Sequence, residues 1–114
     1  MPQPPGVRTV YFWQRQGGTS QLLRDLKKLP KPVLAYFVDR LNALAASGDS
    51  TPPKPLKHIG RFSEYIYRGP HGHYRLLLRE EGDYIVVLDV FKKQKNSTLT
   101  ATAVKRWDEW IVWH

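Results

Sequence analysis

Two neighbouring segments of the chain carry arginine and histidine side chains at alternating positions. The segments, Phe62 to Arg68 and His73 to Glu80, are rich in aromatic and aliphatic residues, and the sequence Gly69-Pro70-His71-Gly72 between them is typical of a hairpin loop. Successive short loops of this kind indicate antiparallel strands. The pattern therefore predicts a β-hairpin whose strands carry the charged side chains.

The loop length determines which residues of the two predicted strands face each other. With residues 69 to 72 as the loop, Arg68 lies opposite His73 and Ile66 opposite Arg75. Opposed residues share a face of the sheet, and side chains alternate between faces along a strand. One face is thus predicted to be cationic, with Arg68, His73, Arg75 and Arg79 as its members. The other face is expected to pack against the helices through Tyr74, Leu76, Leu78, Ile85, Val87 and Phe91.

Side chains of these types can act on a phosphodiester without a metal. Arginine holds phosphate oxygens bidentately and keeps its charge, and a histidine such as His73 can serve as a general acid or base. RNA cleavage is chemistry of this kind, because the 2′-hydroxyl is an internal nucleophile and the protein has only to move protons and stabilise the phosphorane charge. In a simpler interpretation the arginines face solvent or pair with Glu64 and Glu80.

A second group of cations follows the last predicted strand. Tyr84 to Phe91 is an almost continuous apolar run, which is typical of a central strand, and Lys92, Lys93 and Lys95 follow it directly. We expect these lysines to reach the rim of a groove whose floor is the cationic face. An anion would then be held between the two groups.

Composition narrows the class of protein. The chain has 114 residues and a net charge of +8, from eighteen basic and ten acidic residues, which favours an anionic partner such as nucleic acid over a merely solvated basic surface. The absence of cysteine excludes disulfides and thiolate metal sites and is typical of a cytoplasmic protein. Residues 1–6 lack the features of a signal peptide and are expected to be a disordered lead-in, with 7–114 as a single domain.

Other catalytic patterns are missing from the sequence. It contains no phosphate-binding glycine loop and no nucleophile elbow, and its acidic residues are scattered. His71-Gly72-His73 is a weak metal motif on its own, and His58 is interpreted as a structural residue in a loop. We therefore predict neither a metal nor a cofactor.

The remaining patterns predict three helices and one further strand. Val7 to Trp13 is β-branched and aromatic, as strands are. Leucines recur at helical spacing after the candidate N-cap Ser20, a second apolar stripe begins at Pro32 and stops at Gly48, and helical spacing returns from Ala101 to Trp113. The order β-α-α-β-β-β-α predicts an α+β domain in which a four-stranded, mostly antiparallel sheet carries an N-terminal helical hairpin and a C-terminal helix.

A set of short blocks also occurs in a characteristic order. The blocks are Pro55-Leu56-Lys57-His58-Ile59-Gly60, Glu64, Tyr74-Arg75-Leu76, Val87-Leu88-Asp89-Val90-Phe91-Lys92-Lys93 and Ala103-Val104-Lys105-Arg106. In this order they resemble the lysine-leucine-glycine loop, glutamate-bearing strand, Y-R strand and F-x-K-K tail of the RelE/HigB superfamily of toxin-antitoxin toxins, in particular its phage-derived HigB-like branch. The resemblance extends from Val10 to Arg106.

The resemblance implies a compact RelE-like, microbial RNase-like fold and a toxin that cleaves mRNA on the ribosome without a metal. It also implies a cognate antitoxin, often a helix-turn-helix protein. By resemblance Arg75 contacts the scissile phosphate, and Lys92 and Lys93 lie in the basic segment that holds RNA. Together with the cationic face, this gives Arg75, His73, Arg68 and Lys93 as predicted catalytic residues and Lys92, Lys95, Arg79, His71 and Lys57 as predicted RNA-binding residues.

The chain departs from the family pattern at two points. Where the family often has E-L-R, this chain reads Glu64-Tyr65-Ile66, and Gln94 follows the lysines of the tail. Three functions therefore stay open at this stage: a ribosome-dependent mRNA endonuclease, a non-catalytic RNA or ribosome binder on the same fold, and a protein-interaction module whose basic face meets an acidic partner.

Overall fold

The fold is an α+β arrangement of one sheet and three helices. A computed structural model describes residues 7–14, 20–47, 57–92 and 100–113. Within these residues the elements are β1 (Thr9–Phe12), α1 (Gln21–Lys27), α2 (Lys31–Ser47), β2 (Lys57–Ile59), β3 (Phe62–Gly69), β4 (Gly72–Glu80), β5 (Tyr84–Lys92) and α3 (Ala101–Trp113). None of the helices described is long and apolar enough to cross a membrane.

The sheet has five strands in the order β1-β5-β4-β3-β2. β1 pairs parallel to β5, and the other pairs are antiparallel. The expectation of four strands is thus wrong by one, because β2 was interpreted as a loop. β2 has only three residues, too few to show the alternation of apolar and polar residues that is typical of a strand. It pairs with β3 through the turn at Gly60-Arg61, in which Gly60 has φ +57°.

The predicted helices are present, with local signals at their ends. The Ser20 hydroxyl accepts a hydrogen bond from the Leu23 N–H at 3.1 Å, as an N-cap does. Pro30 separates α1 from α2, since α1 ends at Lys27 and α2 begins at Lys31. α2 is described as far as Ser47, and the predicted helix end at Gly48 lies outside the described residues.

The helices cover both faces of the sheet, whereas the sequence placed them on one. The α1 and α2 side chains surround Leu76 of β4, and the hydroxyl of Tyr36 in α2 donates to the Ile66 carbonyl. α3 lies on the opposite face, because its Trp107 packs under the Arg79 guanidinium. A short sequence pattern reports that a helix is amphipathic but not which side of a sheet it covers.

A bulge in β5 places one residue, Phe91, on the other face of the sheet from the one predicted. Leu77 pairs with Asp89 and Leu78 pairs with Val87, so Leu88 is an extra residue opposite β4. Beyond the bulge Phe91 pairs with Arg75, which puts Phe91 on the cationic face and not on the predicted apolar face. The other predicted members keep their side, since Ile85 and Val87 precede the bulge.

Candidate functional site

The β3–β4 hairpin brings cationic side chains to one face of the sheet, as predicted. Arg68 pairs with His73 and Ile66 with Arg75, which confirms the predicted register. Arg68 and His73 are both exposed at the end of the hairpin. Across β3, Lys57 of β2 pairs with Glu64, so this exposed lysine lies on the same face. Among the described residues, none forms an ion pair with Arg68, His73 or Lys57.

Arg75 lies on the same face but is buried against a carboxylate. Its Nη1 atom is 2.9 Å from both carboxylate oxygens of Glu64, and the two side chains are 7% and 6% exposed. Because burying either charge without the other would cost free energy of folding, each side chain stabilises its partner in this position. The simpler interpretation of the arginines, pairing with Glu64, therefore describes Arg75.

Arg79 lies at the other end of the face, under α3. Its guanidinium carbon is 5.1 Å from the centre of the Trp107 ring, and its Nη1 donates to the Arg61 carbonyl at 2.8 Å. Its Nε is 3.6 Å from a Glu81 carboxylate oxygen. Arg79 therefore packs against α3. It lies near the end of β4 that is remote from His73 and Arg68.

The lysines after β5 are only partly described. Lys92 pairs with Tyr74, and its ammonium lies 6.0 Å from the centre of the Tyr74 ring. Because Tyr74 and His73 alternate along β4, Lys92 lies at the hairpin end of the sheet but on the opposite face from His73. Its side chain is therefore not part of the floor of the cationic face. Lys93 and Lys95 lie outside the described residues.

The two remaining predicted histidine positions differ in their surroundings. His71 is exposed in the turn between β3 and β4, where it could reach a bound chain. His58 is part of a polar network, since its Nδ1 is 3.1 Å from the Ser63 hydroxyl, which in turn donates to Glu80 at 3.3 Å. Glu80 also pairs with Arg8 at 3.2 Å. The interpretation of His58 as structural agrees with these contacts, although it lies in β2 and not in a loop.

One ion pair, which is largely but not fully buried, was missed by the sequence analysis. Asp89 is 3.5 Å from Arg106 of α3, whose Nη1 donates to the Leu88 carbonyl at 2.7 Å. The Arg106 guanidinium also lies 4.6 Å from the centre of the Trp13 ring. Burial raises the pKa of Asp89 to about 6, partly offset by Arg106 and by the Val90 N–H that Asp89 accepts. In the sequence, the pair could have been inferred from Asp89, the single acidic residue within the apolar run Tyr84 to Phe91.

Within the described ranges no group of three histidine or acidic side chains could hold a metal ion. The chemistry available at the hairpin end is that of fixed positive charge beside a titratable imidazole. Arg68 can hold phosphate oxygens there, and His73 can exchange a proton with a hydroxyl. Lys57, which pairs with Glu64 further along β3, is a second cation on the same face. The chain is thus a small basic α+β domain, and one face of its sheet carries exposed cationic side chains.

No protein-family model matches the chain, and no curated protein matches it. Among solved structures, the chain is similar to one in the crystal structure of the toxin-antitoxin complex RelBE2 from Mycobacterium tuberculosis. The two are 26% identical over 82% of this chain and 100% of that chain, with a TM-score of 0.48.

Proposed function

We propose that the chain is the toxin of a toxin-antitoxin system, a cytoplasmic and metal-independent endoribonuclease that cleaves mRNA on the ribosome and so arrests translation and growth. The proposal draws on the ordered sequence blocks described above and on the basic character of the chain, which has a net charge of +8. The antitoxin that holds it inactive is expected to be a helix-turn-helix protein.

The observation that carries the proposal is the pairing of Arg68 with His73. The two residues face each other across the hairpin, both are exposed, and the described part of the chain places no carboxylate in an ion pair with either. A cation and an imidazole a single strand spacing apart can act on the same phosphate. Arg75 and Arg106, by contrast, form ion pairs with Glu64 and Asp89.

In the proposed reaction His73 takes the proton from the RNA 2′-hydroxyl. The 2′-oxygen attacks the neighbouring phosphorus, the bond from phosphorus to the 5′-oxygen breaks, and the 5′-oxygen takes up a proton from water as it leaves. The products are a 2′,3′-cyclic phosphate and a 5′-hydroxyl, and His73 returns its proton to solvent. Arg68 stabilises the charge that develops on the phosphorane. Arg75 and Glu64 hold each other in place on the same face, and Lys57, His71, Lys93 and Lys95 are proposed to hold the RNA backbone.

Induced expression in a bacterium tests the activity. We expect growth arrest with mRNA cut at discrete sites, mapped by primer extension, and a loss of cutting of about 100-fold or more for His73→Ala and for Arg68→Ala. Arg24→Ala, which removes an exposed arginine of α1, is the matched control and should cut normally. Full cutting by folded His73→Ala and Arg68→Ala proteins would remove both residues from the mechanism.

A second candidate function is a non-catalytic RNA or ribosome binder on the same fold. The observation that favours it is the Arg75–Glu64 pair, because an arginine whose charge is balanced by a buried carboxylate is a poor phosphate clamp. The same expression experiment separates the two functions. Growth arrest with intact mRNA supports the binder, and arrest with cut mRNA supports the endonuclease.

A further inference from the structure

Aromatic side chains form a row at the hairpin end of the sheet, on the face opposite the cationic face. Tyr67 of β3 pairs with Tyr74 of β4, which in turn pairs with Lys92 of β5. Paired residues share a face, so these three side chains lie side by side across the strands. Tyr36 of α2 continues the row, because its ring centre is 5.4 Å from that of Tyr67. This tyrosine row thus consists of three phenol rings and one ammonium group.

Two paired glycines allow the row to lie close to the backbone. Gly69 comes two residues after Tyr67 in β3, and it pairs with Gly72. A Cβ at Gly69 would be 2.6 Å from the Tyr67 hydroxyl oxygen. A Cβ at Gly72 would be 3.0 Å from Cε of Lys92. The absence of a Cβ at both positions therefore lets Tyr67 and Lys92 extend over the end of the hairpin.

Packing within the fold accounts for one ring of the row but not for the other two. The Tyr36 hydroxyl donates to the Ile66 carbonyl at 3.0 Å, and the Arg40 guanidinium lies 5.1 Å from the centre of the Tyr36 ring. The hydroxyls of Tyr67 and Tyr74 form no hydrogen bond with any residue in the described part of the chain, and both side chains are only half-buried. Two rings are thus partly open to solvent, beside an exposed ammonium group.

We propose that the tyrosine row is a stacking platform for a base of single-stranded RNA. The inference rests on the proposed function, because it gives the RNA substrate a contact beyond the reacting phosphate. Aromatic rings stack on the π face of any base, and a cation beside them holds the phosphate backbone. Tyr67 and Tyr74 would contact the base. Lys92, whose ammonium is 6.0 Å from the centre of the Tyr74 ring, would contact a phosphate.

The row and the proposed reaction site lie at the same end of the hairpin. Arg68 directly follows Tyr67 in β3, and His73 directly precedes Tyr74 in β4. Neighbouring residues of a strand project to opposite faces, so the two sites are separated only by the thickness of the sheet. An RNA strand held by Arg68 and His73 can bend over the hairpin turn and place a flanking base on the row. His71 is exposed in that turn, along this path.

The chemistry of the row favours RNA over an apolar partner. Its accessible groups are two phenol rings with their hydroxyls and one ammonium, and no aliphatic side chain is a member. The net charge of +8 attracts polyanions and opposes association with a second copy of the chain.

The test measures binding of the purified chain to two short 2′-O-methyl probes by fluorescence anisotropy. One probe is an oligouridylate and the other is the same backbone without bases, and neither can be cleaved because its 2′-oxygen is blocked. We expect the wild type to bind the base-bearing probe at least about tenfold more tightly, since stacking adds to the phosphate contacts. Tyr67→Leu and Tyr74→Leu should lose this preference, whereas Tyr74→Trp should keep it because indole also stacks on a base.

Matched controls separate stacking from charge. Tyr11→Leu changes a tyrosine of β1 that is 45% exposed, and it should bind both probes as the wild type does. Lys92→Gln should weaken the binding of both probes by the same factor, because it removes a phosphate contact. Lys105→Gln, at an exposed position of α3, should change neither affinity. Circular dichroism checks that each variant is folded.

The outcomes separate the platform from the proposed function. A wild-type chain that neither cuts mRNA nor binds either probe refutes the proposed function, and the platform falls with it. A chain that cuts mRNA but binds both probes equally, or binds neither, refutes the platform alone, as does a Tyr74→Leu variant that keeps the wild-type preference. Preference for the base-bearing probe without cutting supports the platform on the second candidate function. If Tyr74→Leu weakens only the complex with the antitoxin, the row is a protein contact and the platform is overturned.

Discussion

The Arg75–Glu64 pair lies between the exposed cationic face and the core of the sheet, and its energetics decide what a substitution there can report. Both side chains are more than nine-tenths buried, and two contacts of 2.9 Å hold them together. The cost of desolvating two charges is recovered only while both are present. A variant that lacks one partner therefore measures stability as well as any catalytic role.

We predict that Arg75→Ala lowers the free energy of unfolding by about 3–5 kcal/mol, because it leaves the Glu64 carboxylate buried without its arginine. The double variant Arg75→Leu with Glu64→Leu should cost much less, since no charge then stays buried. Urea unfolding at pH 7 measures both. Arg68→Ala is the control, because this exposed arginine should change stability by no more than about 0.5 kcal/mol. A small effect of Arg75→Ala would mean that Glu64 finds another partner or takes up a proton.

Asp89 should make stability depend on pH in an unusual direction. Its pKa is raised from 3.8 to about 6 in the folded chain, so the folded state binds this proton more tightly than the unfolded state does. The stabilising contribution is present below about pH 4 and is lost as the pH rises through about 6, at a total cost of at most about 3 kcal/mol. Asp89→Asn, whose side chain can still accept from the Val90 N–H, should flatten this dependence.

Thermal unfolding between pH 4 and 7.5 tests the role of Asp89. The control is Asp108→Asn, which changes a carboxylate that is 57% exposed and should leave the pH profile unchanged. If Asp89→Asn has the same profile as the wild type, the burial of Asp89 is offset fully by Arg106.

At the scale of elements, the turn of the β2–β3 hairpin determines whether Lys57 reaches the cationic face. Gly60 has φ +57°, and a Cβ built there would meet no atom within 4 Å. Any cost of Gly60→Ala is therefore backbone strain, about 1 kcal/mol, and not a clash. Gly82→Ala is a matched control, because its Cβ would also meet open space but its backbone is not in the left-handed region. Equal unfolding midpoints for the two variants would show that β2 does not depend on this turn.

The elements differ in how far the sequence could predict them. Two long segments, α2 and the β3–β4 hairpin, were predicted almost to the residue, because their apolar patterns extend over many residues and turn residues mark their ends. β2 has only three residues, and the extra residue Leu88 in β5 leaves no mark on an apolar run. The bulge shifted Phe91 to the other face, and nothing local to α3 shows which face of the sheet it covers.

The same limits apply to the candidate site. Register depends on loop length, so the pairing of Arg68 with His73 could be predicted from the four residues between them. Whether an arginine on that face is exposed to solvent or paired with a carboxylate depends on which side chain lies beside it on the neighbouring strand. Glu64 lies directly opposite Leu77 and diagonally across from Arg75. This diagonal contact can be identified only when the register of β3 against β4 is known.

At the scale of the whole molecule, the net charge of +8 is accompanied by exposed basic side chains on more than one surface of the described residues. Lys57, Arg68 and His73 lie on one face of the sheet. A second group, at the end of α1 and the start of α2, consists of the exposed residues Arg24, Lys27, Lys28 and Lys31. Both groups raise the rate of encounter with an anionic partner. Only the group that contacts RNA phosphates should release counterions on binding.

This difference gives a prediction for ribosome binding measured by pelleting over a range of salt concentrations. Replacing Lys57 and Arg68 together by Gln should reduce the slope of log affinity against log salt by about 1.4, at roughly 0.7 for each lost phosphate contact on single-stranded RNA. Arg24 and Lys105 replaced together by Gln remove the same two charges from exposed positions elsewhere and should leave the slope nearly unchanged. If both double variants flatten the slope equally, net charge alone governs binding. The exposed face of the β3–β4 hairpin would then have no special contact with RNA.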